Sequence, residues 1–242
     1  MDDLCTIGPV GIPGNACILA RVLRGNSGVR DLFLVFIPEA YEVEMDTGMV
    51  MTYFESCFLR WDEIALISRI RGPCRQTLRV LRNKLLVPPS FRARGTILGM
   101  VPFLADRRPP AEPATSVWTP RFRDEAIARR VGRGAFRPTG VVSAYLAVLL
   151  ERARSAGVRT HLVTAAMPAE VVEAWRRSGR LRQYEEFLEG IRRDWPEVTV
   201  LPADLFADFP GNCFWDQVHL QPLPLERYGS RLSAALLSAR GR

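Results

Sequence analysis

The chain has 242 residues, enough for one sizeable core, and its 48% hydrophobic and 24% charged content is that of a globular protein, which excludes general disorder. Its net charge is +7, carried almost entirely by arginine, since Lys84 is the only lysine. The charge is clustered: residues 69–94 hold eight Arg/Lys and no acid, and residues 121–137 hold six arginines against Asp124 and Glu125. The rest of the chain is acidic by five, and such a bipolar surface could meet an anionic polymer or membrane surface, although a solvated arginine-rich face is the plainer reading. Five cysteines (Cys5, Cys17, Cys57, Cys74, Cys213) form no CxxC pair, which argues against a metal knuckle or a full disulfide framework. Cys57 and Cys74 could pair in an oxidising compartment. No apolar run is long enough to span a bilayer, and the N-terminus has no signal-like region, so the chain as written reads as cytoplasmic.

In chain order, residues 4–8 read as a strand, followed by a Gly/Pro-rich loop over residues 8–15. Ala16 to Leu23 reads as a helix with Ile18, Leu19 and Val22 apolar. The continuous apolar run from Asp31 to Ile37 suits a parallel strand covered on both faces. Strand, loop, helix and strand make a βαβ unit. The acidic stretch Glu39, Glu42, Glu44, Asp46 has no recognisable ligand spacing and reads as a solvated loop. Residues 50–70 are expected to be helical, and Arg75 to Leu86 reads as a basic amphipathic helix with Leu78, Leu81 and Leu85 on one side. That helix would pack on the sheet or lie on a membrane surface. Residues 88–120 carry seven prolines and read as an irregular Pro/Arg-rich insertion or lid.

Order resumes at Pro138. A helix from Val141 to Ala156 is closed by Gly157, and residues 158–164 form a strand. Pro168 opens a helix to about Ser178, Gly179 interrupts it, and Leu181 to Asp194 continues. Residues 198–201 are a short strand. A Pro/Gly/Asn-rich loop then carries Phe214, Trp215, Asp216 and His219, and Pro224 opens a last helix through about Ser238. Strand–helix alternation is the mark of a doubly wound α/β domain, whose ligand cleft lies at the carboxyl ends of the strands.

His219 is one of two histidines, and Asp216 stands three residues before it. At that spacing on a tight turn a carboxylate can accept the Nδ1 proton, fix the tautomer and leave Nε2 as a base. A structural Asp–His hydrogen bond is the plainer alternative. His161, in mid-strand, reads as a satisfied histidine rather than a catalytic one. Phe214 and Trp215 would either wall an acyl pocket or bury the loop against the sheet.

The stretch Phe214-Trp215-Asp216-Gln217-Val218-His219-Leu220-Gln221 resembles the last block of SGNH (GDSL-type) hydrolases, closest to the cell-envelope O-acetylation and D-alanylation proteins. Gln221 stands where that group often has Asn. Residues 8–15, with Gly11-Ile12-Pro13-Gly14-Asn15, resemble the family's second block. The resemblance covers residues 4–40 and 138–239. It implies a three-layer, doubly wound, mainly parallel α/β sheet of SGNH-hydrolase or flavodoxin-like type in a single domain over residues 1–242. It also implies acyl-ester hydrolysis or O-acyl transfer on an acylated carbohydrate or cell-envelope polymer. His219 would be the base, Asp216 its orienter and the Gly14 N–H an oxyanion donor, with no metal or organic cofactor.

Two departures matter. The family's nucleophilic serine turn has no counterpart before Gly14, and the Gly-x-Asn-Asp block is absent after residue 37. Ser27, Ser56 and Ser143 do not fall at a strand-to-helix turn on the carboxyl edge. The expectation is therefore either a missing N-terminal strand with its serine, and then an envelope or periplasmic location, or a degenerate relative that binds without cleaving. The competing class is a non-catalytic polymer-binding module using residues 69–94. Specific nucleic-acid binding has charge in its favour but no reading motif.

Overall fold

The computed structural model describes residues 11–25, 28–42, 59–71, 78, 80–82, 85, 123–125, 127–128, 134–215 and 219–240. The expected strand at 4–8 and the insertion at 88–120 lie outside them. The chain divides into two compact units. The first is Met1–Ser27, Val43–Pro113 and Pro138–Arg152; the second is Gly28–Glu42, Ala114–Arg137 and Ala153–Arg242.

In the first unit, helix α1 runs Gly11–Gly25, five residues earlier than the sequence suggests. Pro13 suits a first turn because a helix leaves those N–H groups without intrahelical partners. The left-handed backbone that needs a glycine is at Gly11 (φ 53°), where the helix begins. Ile12, Ala16, Cys17 and Leu19 are buried. Helix α2 runs Trp61–Arg71. Its start is capped from within, since the Glu63 carboxylate accepts from the Arg60 N–H at 2.8 Å. Glu63 is also held by Arg21 of α1, which donates through Nε at 3.1 Å and Nη2 at 2.6 Å. Among the described residues of the basic segment Val80 is buried, Leu81 half-buried and Leu78 and Leu85 exposed, so the leucine stripe expected there is not the covered face. Helix α3, Gly140–Ser155, places Val142, Tyr145, Leu146, Leu149 and Leu150 on one buried face at helical spacing. Thr139 caps it by accepting from the Val142 N–H at 3.2 Å. Its last turn belongs to the second unit, where Gly157 (φ 67°) and the Val158 N–H to Ala153 carbonyl bond end it.

The second unit holds a parallel sheet of three strands in chain order, β1 (Asp31–Phe36), β2 (Arg159–Thr164) and β3 (Thr199–Val200). Asp31 pairs with Arg159 and Phe36 with Thr164, and β3 sets Thr199 against His161. Helices α4 (Ala169–Arg177) and α5 (Arg180–Asp194) connect β2 to β3, with Gly179 at φ 76° breaking them as the sequence predicts. The last helix, α6, runs Pro222–Arg240. Val163, Ala166, Leu201, Phe209, Phe214 and Tyr228 form a core into which α6 packs Leu232, Ala235 and Leu236. The described architecture is thus mixed α/β with a small parallel sheet and mostly helix.

The acidic stretch after β1 differs from a solvated loop. Pro38–Tyr41 is a 3₁₀ turn that buries Glu39 and Tyr41, and the next residue, Glu42, is ion-paired with Arg180 of α5. Glu44 and Asp46 lie outside the described residues.

Candidate functional site: the loop between β3 and α6

The loop is built outward from the strand end. Leu201 continues the ladder by donating to the Leu162 carbonyl at 3.0 Å, and Pro202 then ends it. After a 3₁₀ turn, Ala203–Phe206, the chain returns to the start of α4. Phe209 bridges Pro168 in parallel, and its carbonyl accepts from the Ala169 N–H at 2.8 Å. The buried Gly211 donates its N–H to both oxygens of Glu170, at 3.1 and 3.3 Å, and opens a second 3₁₀ turn, Gly211–Cys213. Phe214 then pairs antiparallel with Leu220, the Trp215 N–H donates to the His219 carbonyl at 2.8 Å, and the Gln221 N–H to the Cys213 carbonyl at 2.8 Å. The Gln221 side chain clamps the same turn by donating from Nε2 to the Asn212 carbonyl at 3.0 Å.

These bonds make a small hairpin with His219 at its return and its side chain exposed. Asp216 lies outside the described residues. The structure separates the two aromatics of this loop. Phe214 is 0% exposed in the core, so it anchors the loop, whereas Trp215 is 37% exposed beside His219. Gly14 lies in the first unit, buried within the opening turn of α1 rather than in a loop.

The base of the hairpin is tied to α6. Asp208 accepts from Arg231 Nη2 at 2.8 Å and Arg227 Nη2 at 3.2 Å, and both guanidiniums lie 5.6 Å from the Phe209 ring centre. The Arg231 hydrogen bond, chiefly, holds the Asp208 carboxyl below its ordinary range. Burial pushes the Cys213 thiol up, which keeps it protonated and unsuited to act as a nucleophile.

His161 is the other histidine. It is buried at the amino end of the sheet, stacked on its cross-strand neighbour Phe33 with centroids 4.8 Å apart. Nε2 is 3.0 Å from Asp31 Oδ1, and Arg159 holds the other Asp31 oxygen at 2.9 Å. This arrangement staples β1 to β2 on the edge opposite the ligand side of a parallel sheet, although among the described residues the buried Nδ1 has no hydrogen-bond partner.

Sequence reading misses a polar cluster at the carboxyl edge. Thr164, the last residue of β2, bonds the Tyr184 hydroxyl of α5 at 2.9 Å, and Tyr41 packs at 6.1 Å from the Tyr184 ring. Burial raises both phenols, with Tyr184 adding to the shift at Tyr41. Beside them Arg180, 1% exposed, donates to the Gly134 carbonyl at 2.6 Å, pairs with Glu42 and stacks 4.5 Å over Trp175. The one local signal is Glu170 following Pro168 at a helix start; nothing local marks Arg180.

Among the described residues no group of three or more His, Cys, Asp or Glu side chains is arranged to hold a metal ion, and no helix is long and apolar enough to cross a membrane. Neither a family model, a curated protein nor a solved structure matches this chain.

Proposed function

We propose that this chain is an SGNH-hydrolase-like protein with the three-layer doubly wound α/β architecture of that family, acting in acyl-ester hydrolysis or O-acyl transfer on a carbohydrate or cell-envelope polymer. One observation carries the reading. His219 is exposed on a hydrogen-bond-closed hairpin that follows a parallel strand and leads directly into the terminal helix. His219 Nε2 takes a proton from water or a hydroxyl, and Asp216 holds the tautomer. The exposed Trp215 offers an apolar wall to the acyl group. The test is hydrolysis of a short p-nitrophenyl ester and its loss in His219→Ala.

A second observation favours a non-catalytic reading of the same fold. The described strands exit through Ile37-Pro38, Ala165-Ala166 and Leu201-Pro202, so among the described residues no serine stands at a strand's carboxyl exit. Lacking a nucleophile, an acid–base pair loses on the order of 10⁴–10⁶ in rate. The chain would then bind an anionic polymer through residues 69–94. Salt-sensitive retention on an immobilised anionic polysaccharide tests that reading, and absence of retention at low salt contradicts it.

A further inference from the structure

We propose that Glu170, in the first turn of α4, is the positioning residue that holds the His219 hairpin; this rests on the acid–base reading of His219. Glu170 does not touch the reacting atoms. It acts through the backbone, because both its oxygens accept from the Gly211 N–H at 3.1 and 3.3 Å. Gly211 is buried, so without Glu170 that N–H is left without an acceptor where water does not reach easily. The neighbouring bond, Ala169 N–H to the Phe209 carbonyl, fixes the same limb but leaves the Gly211 donor to Glu170.

From Gly211 the connection to His219 is short. The Phe214 N–H donates to the Gly211 carbonyl at 3.0 Å, Phe214 pairs with Leu220, and the Trp215 N–H donates to the His219 carbonyl at 2.8 Å. A carboxylate makes a stronger bond to an N–H than a neutral acceptor does, and on the first turn of a helix its charge is favourably placed. Glu170 thus ties the hairpin to a rigid element, which is how a loop-borne base keeps its aim.

The test uses the full chain with Glu170→Ala, which has no acceptor, and Glu170→Gln, which keeps a carbonyl oxygen. Amide hydrogen exchange is followed at Trp215, with Tyr184 and Leu188 of α5 as internal references. The expected result is exchange at Trp215 about tenfold faster in Glu170→Ala, unchanged references, and near-native exchange in Glu170→Gln. In p-nitrophenyl acetate turnover, kcat should fall about tenfold in Glu170→Ala with KM unchanged, and Glu170→Gln should rescue it. Unchanged Trp215 exchange in Glu170→Ala overturns the proposal, as does equal loosening of α5 or failure of Glu170→Gln to restore protection. If the unaltered chain hydrolyses no ester, the acid–base reading fails, and the exchange measurement still decides whether Glu170 anchors the hairpin.

Discussion

The Trp215 N–H donates to the His219 carbonyl across 2.8 Å, so a backbone bond closes the hairpin that presents this histidine. The His219 side chain is exposed. His219→Ala is therefore expected to shift folding stability by no more than about 0.5 kcal/mol. Gln221→Leu, which removes the Nε2 bond to the Asn212 carbonyl, should cost about 1 kcal/mol. Urea denaturation of the two variants checks the order; a larger loss in His219→Ala would place a structural burden on the ring.

Arg180 is 1% exposed and is the partner of Glu42. Deleting it removes a charged partner from a nearly buried carboxylate that also accepts from the Arg137 N–H at 2.9 Å, and Arg180→Ala should cost about 3 kcal/mol. The Arg180→Ala/Glu42→Ala pair should cost clearly less than the sum of the single changes. Additive losses in urea denaturation would show that the two charges do not stabilise each other.

Tyr41 is 1% exposed, and among the described residues its hydroxyl has no hydrogen-bond partner. Its ring is held edge-on by Phe36 and Phe187. Tyr41→Phe keeps those contacts and removes a buried unsatisfied group. The melting temperature should stay level or rise, by the equivalent of about 1 kcal/mol at most. A clear fall would reveal an acceptor for that hydroxyl.

What can be read from the sequence follows where the information is local. The apolar runs of β1 and β2 and the Pro168 and Gly179 breaks are local, and the structure places strands and helix ends there. The start of α1 is obscured because Gly11, Pro13 and Gly14 are loop residues by composition, yet Pro13 fits a first turn and Gly14 lies on its buried side. Glu42 reads as solvated because its partner Arg180 is 138 positions away. The buried side of the basic segment, marked by Val80, is likewise set by tertiary packing rather than by the leucine spacing. For the site, the order of strand, loop, His219 and terminal helix is legible, while the Glu170 to Gly211 bond, spanning 41 positions, is not.

Asp208 gives a pH dependence of defined sign. Its two arginine partners, Arg231 foremost, hold its folded pKa below that of the unfolded chain. Its contribution is therefore present above the unfolded carboxylate range, about 3.9, and is lost as pH falls through the lower folded value. Asp208→Asn should be less stable than the unaltered chain at pH 6, and the gap should close below about pH 4. A gap constant from about pH 6 to about pH 2 would mean that the Arg227 and Arg231 contacts do not depend on the charge.

Whether His219 is the base of an acyl-transfer site is decided by p-nitrophenyl acetate hydrolysis in the unaltered chain, His219→Ala and Asp216→Asn, all three first shown to be equally folded. The expected result is turnover above a heat-denatured control, falling at least about a hundredfold in His219→Ala and by a comparable factor in Asp216→Asn. Turnover that survives His219→Ala unchanged, or none in the unaltered chain, would contradict it.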